Sequence, residues 1–210
     1  YTSNNNQILF KVNNIYANLN KIFSHFDIEE FLIIKKGIMR GNFSISDSFD
    51  SPNFKGAISI SEPLVELPSL LKKDLSTDKI LITANNNEFS IMEKIFKVNQ
   101  KNVASIGVKM TLNKWLLDNL HLKCSTLKKS YIPLAIKTPI LNFDGDVECD
   151  FSLDINNNTV SINGNLFGDN IDIVTDLQKI TSSSNENEQN YKNVPMNFKC
   201  DINVLLGTHV

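Results

Sequence analysis

Three histidines, a row of five carboxylates and three cysteines are the side chains of this sequence best suited to catalysis or metal binding, and none falls into a catalytic spacing. His25 sits beside Phe26 and Asp27, His121 lies on the polar side of an alternating run, and His209 is close to the last residue. No nucleophile or orienting third group stands at a motif distance from any of them. Asp144, Asp146, Glu148, Asp150 and Asp154 share one face of an extended segment, because side chains two apart along a strand point the same way. Paired carboxylates can bind calcium or hydrolyse glycosides. Asp144-Gly145-Asp146, however, lacks the remainder of a calcium loop. The row reads as a solvated face that keeps a strand from aggregating. Gly37, Gly41 and Gly56 form no phosphate-binding loop. The expectation is a protein that is not an enzyme and carries neither metal nor cofactor.

Cys124, Cys149 and Cys200 are odd in number and contain no C-x-x-C pair, which argues against a zinc knuckle or a disulfide framework. Cys149 and Cys200 occupy apolar positions of alternating runs and read as small buried hydrophobes, with a bridge between them left open.

Elements that would position such residues are strands almost throughout. Of 210 residues, 41% are apolar and 21% charged, enough for a folded domain. The net charge of −2 comes without a basic run, so nucleic acid is not expected as a partner. No apolar stretch is long enough for a membrane helix and no signal peptide is present. Starting at Tyr1 and stopping in strand context, the chain reads as a single β-rich piece, 1–210, of a longer protein.

Period-two alternation marks Ile8, Phe10 and Val12, then Phe43 and Ile45, Ile58 and Ile60, and Ile80 and Ile82. It runs longest through Ala104, Ile106, Val108, Met110 and Leu112, and continues in Leu120, Leu122 and Cys124 and in Ile132, Leu134 and Ile136. Val147, Cys149, Phe151, Leu153 and Ile155 make the cleanest run. A turn at Asn156-Asn157-Asn158 joins it to Val160 and Ile162, and the final run is Phe198, Cys200, Ile202 and Val204. That hairpin turn is expected to exceed the tightest two-residue type. Helical spacing over 15–26 predicts a short helix, Pro68 to Asp74 a single turn, and Leu112 to Asn119 a brief irregular link. Polar residues 181–193 read as a flexible insertion. About fifteen strands, spaced roughly 4.8 Å, would make a ladder near 70 Å that must curl, close or fold over. Alternation alone leaves open whether the apolar face lines a sealed sandwich or an open trough.

One stretch carries a more specific pattern: Gly37 to Ser46, a spacer, Pro52-Asn53-Phe54-Lys55-Gly56, a second short strand, and Pro63 through Pro68. It resembles the repeated unit of the AsmA-like family of envelope proteins, TamB among them. Gly145-Asp146-Val147 through Gly164-Asn165-Leu166 is similar to that family's later strand pairs, and Val194 through Val210 to its C-terminal region. The resemblance implies an elongated, curled, antiparallel-rich β-groove (a β-taco) with one or two short helices. It also implies a periplasmic setting in a Gram-negative-type envelope, anchored to the inner membrane in the full-length protein. The family carries phospholipid acyl chains toward the outer membrane and partners an Omp85-type barrel. Fewer glycines than the family's repeat and the insertion at 181–193 are departures.

The candidate groove lining is Ala104, Ile106, Val108, Met110 and Leu112, with Val147, Phe151, Leu153, Ile155, Val160, Ile162, Phe198, Ile202 and Val204. These rows suit acyl chains because they are free of polar interruption, and an unpaired polar group there would cost roughly 1–3 kcal/mol. An uncovered apolar trough of several hundred Å² is also unusual unless it binds something. The competing expectation is a structural or adhesive surface module with a closed sandwich or solenoid fold.

Overall fold

In the computed structural model, residues 7–27, 29–137, 141–156, 159–175 and 197–206 are described. The insertion at 181–193, the tip 157–158 of the last hairpin, and His209 lie outside them.

Strand β1 (Phe10–Asn18) leads into helix α1 (Leu19–Phe23), followed by β2 (Ile33–Ser48) and β3 (Ser51–Glu66). Next come β4 (Leu75–Ser76), β5 (Lys79–Asn86), β6 (Glu88–Val98), β7 (Lys101–Asn113) and β8 (Leu116–Thr126). The chain continues through β9 (Ile132–Lys137), β10 (Leu141–Asn156), β11 (Thr159–Thr175) and β12 (Asn197–Leu206). All twelve described strands belong to one sheet, antiparallel except for β12, which joins β11 in parallel. The fold is the expected one: nearly all β, with one short helix among the described residues.

The chain meanders because its turns are short and fit the strand twist. Val98 pairs with Lys101 and Asn113 with Leu116, leaving two residues at each reversal. Asn99 and Gln100 both have positive φ (49° and 65°), the backbone that a tight hairpin with right-handed twist requires. Asn86, at φ 55°, turns β5 into β6, so the triplet 85–87 does serve a turn. Asn156 pairs with Thr159, so only two residues separate β10 from β11. The longer turn expected there is corrected by this register.

The predicted helix at 15–26 shrinks to five residues. Ile15 belongs instead to β1, opposite Gly41. Leu19 of α1 is buried where Gly37 of β2 lacks a side chain; a Cβ there would come within 2.8 Å of Leu19 Cδ1. At Pro68–Asp74 a single turn forms, Leu71 N–H donating to Leu67 O at 2.8 Å. Between β7 and β8 the irregular link reduces to Lys114 and Trp115.

Candidate functional site

Register assembles the alternating runs into apolar rows that cross the sheet. One row runs Gly41, Ile58, Ile82, Ile91, Val108, Leu122, Leu153, Ile162 and Cys200 from β2 to β12. Its neighbour runs Phe43, Gly56, Ala84, Phe89, Met110, Leu120, Ile155 and Val160, with Phe198 opposite Val160. A third joins Ile106, Cys124, Phe151, Gly164 and Ile202.

This face is concave. Phe43 and Phe89 are three strand spacings apart, about 14 Å on a flat sheet, yet their ring centroids lie 6.5 Å apart. Between them the row holds only Gly56 and Ala84, so both rings lean inward over small residues. A Cβ at Gly56 (φ +156°) would collide with the Asn42 carbonyl oxygen, which ties the position to glycine. Phe54 packs on Phe89 at 5.3 Å and edge-on to Trp115 at 5.5 Å. Trp115 Nε1 donates to Phe49 O at 2.9 Å, joining the β7–β8 turn to the β2–β3 turn. An aromatic collar therefore narrows the sheet at its turn end.

The opposite end is closed by the segment between β3 and β4. Leu71 bridges to Leu134, Lys72 N–H donates to Pro133 O at 3.1 Å, and Ala135 N–H donates to Leu70 O at 2.9 Å. Lys72 also pairs with Asp144. Lys35 of β2 holds Asp74 at 2.7 Å and Glu66 at 2.8 Å, and hydrogen bonds to these carboxylates raise its pKa. At the same end gathers the core of Val98, Val103, Ala104, Cys124, Val147 and Cys149, with Leu75, Ile132, Leu134 and Phe151 packed against it.

Between cap and collar the rows stay open. Ile82, Ile91, Val108, Met110, Leu122, Leu153, Ile155, Val160 and Ile162 are all half-buried. The described strands supply no second sheet to cover them.

Most of the expected lining residues meet in these rows. Ala104 and Val147 do not line open space; they are 1% and 3% exposed, inside the capped core. A register shift after Thr111 pairs Leu112 with Leu117, itself exposed, and takes it out of the rows. Val204 lies on the free edge strand and is 57% exposed. Three strong contributors escaped sequence reading: Phe54, Trp115 and the whole of β6. Phe89 and Ile91 do alternate after an Asn-rich turn, which was the available signal.

The polar face behaves as expected. His121 Nδ1 lies 2.5 Å from Asp154 Oδ1, Ser125 donates to Asp150 at 2.5 Å, and Thr83 and Ser90 hydroxyls meet at 2.8 Å. No metal-holding cluster of His, Cys, Asp and Glu occurs among the described residues. Cys200 is exposed on the edge strand, which corrects the expectation of burial and separates it from Cys149. Cys149 instead has its Sγ 3.9 Å from that of Cys124, both free and buried. The Cys124 thiol and burial push the Cys149 pKa upward.

No protein-family model matches the chain, and neither the curated proteins nor the solved structures include a match. Most of residues 37–68 lie in the β2–β3 hairpin.

Proposed function

We propose that the protein binds lipid acyl chains along the open stretch of its apolar trough. The observation that carries this reading is three contiguous apolar rows left half-buried on the concave face of a single sheet. Water on such a surface is unfavourable, and covering it with an alkyl chain gains up to about 0.8 kcal/mol per methylene. A trough contacts one side of the chain, and association itself costs several kcal/mol, so affinities in the micromolar range follow. In the cell this would be the work of an envelope protein that carries phospholipid acyl chains between inner and outer membranes, with an Omp85-type barrel as partner. The resemblance of residues 37–68 supports that setting.

Native mass spectrometry of the chain after incubation with phosphatidylglycerol tests the reading. The expected result is a one-to-one lipid complex that Val108→Asp removes. Absence of any lipid complex, together with a radius of gyration near 17 Å, would instead favour a closed structural or adhesive module.

A further inference from the structure

The trough contains a cation that strict alternation would have placed outside. Strand β6 is bulged: Ile91 pairs with Val108 and Lys94 with Ile106, so Met92 and Glu93 together oppose Gly107. A Cβ on Gly107 would sit 3.5 Å from Glu93 Cβ, and Ser105 donates to Glu93 Oε1 at 2.8 Å, which fixes Glu93 on the polar face. After a two-against-one bulge the inward and outward positions exchange. Lys94 thus enters the row of Ile106, Cys124 and Phe151, and Phe96 enters register with Ala104. The Lys94 side chain is half-buried. Among the described residues no carboxylate pairs with it. The Ile91 and Phe89 rows beside it carry no other charged side chain.

We infer that Lys94 receives the carboxylate of a long-chain fatty acid bound in the trough, its tail running toward the Trp115 collar. The inference rests on the acyl-chain reading above and adds a second class of cargo to it. A lysine stem lies along apolar surface while its ammonium seeks a polar partner. A carboxylate would meet it in a charge-assisted hydrogen bond, stronger than a neutral one. From Lys94 to Phe89 the apolar rows extend about 15 Å, room for much of an extended alkyl chain. A carboxylate is scarcely wider than its chain, so it can descend to mid-wall. A diacyl phospholipid keeps its bulkier headgroup at the rim, where Lys94 does not reach it.

Trp115 is the only tryptophan, so its emission reports occupancy at the collar. The full chain is titrated with 9,10-dibromostearate, whose bromines quench tryptophan on contact, and with its methyl ester. Wild type should bind the acid at least about tenfold more tightly than the ester, the size expected of one charge-assisted hydrogen bond. Lys94→Met should lose that preference while keeping the ester affinity, and Lys94→Arg should retain it. Equal affinity of the wild type for acid and ester, or an undiminished preference in Lys94→Met, would overturn the role of Lys94 alone. Quenching by neither probe would overturn the acyl-chain reading beneath it.

Discussion

Cys149 and Leu153 lie on the same strand, the same face and the same alternating run, yet Cys149 is 6% exposed and Leu153 remains half-open. The strand is not the cause; what lies across from it is. Around Cys149 a conventional core closes, with Leu75 of β4 and Leu134 of β9 packed against it, beside the 67–73 segment that ties β3 to β9. Around Leu153 no described strand crosses the concave face. One sheet therefore holds two environments: a capped end that stabilises the fold, and an open middle that pays part of its hydrophobic stabilisation for accessibility. This division of labour explains how an uncovered apolar face can persist: β-sheets need a packed hydrophobic face somewhere to be stable, and here the cap supplies it.

Five experiments probe that contrast. Val147→Asp should abolish cooperative folding, since an unpaired charge would be forced into the capped core at a cost of about 3–5 kcal/mol or more; circular dichroism and urea denaturation check this. Thiol labelling in native buffer should modify exposed Cys200 at least about a thousandfold faster than Cys124 and Cys149, which react only after opening of the cap. At neutral pH the raised pKa of Cys149 disfavours its thiolate and slows it further. Comparable rates for all three thiols would mean the cap is loose. Leu71→Ala should cost about 2–3 kcal/mol in urea denaturation by hollowing the strap. Val108→Asp should cost only about 1–2 kcal/mol, because its charge reaches water, while acyl-chain binding falls by a factor of ten or more. Unfolding comparable to Val147→Asp would show that the middle is sealed too. His121→Ala, on the exposed polar face, should change stability by less than about 1 kcal/mol.

Much of this was legible beforehand. Runs such as 104–112 and 147–155 reveal their faces because a strand repeats every two residues. Asn85-Asn86-Asn87 marks a turn because asparagine tolerates positive φ. The acidic row from Asp144 to Asp154 reads correctly as a solvated face. Parity alone misplaces Cys200, because burial depends on position in the sheet and no described strand lies outside β12 to cover it. Alternation places Ala104 and Val147 in the groove because it gives a face and not what covers that face.

The sequence by itself determined which side of each strand is apolar, where the chain reverses and that the result is a sheet, since these follow from local spacing and backbone preference. Only the tertiary structure decided where the apolar face is sealed and where it stays open, because that depends on Leu71 meeting Leu134 some sixty residues later in the chain. It also decided the side on which Lys94 falls, since a single bulge inverts every position beyond it and leaves no local mark in the residues themselves.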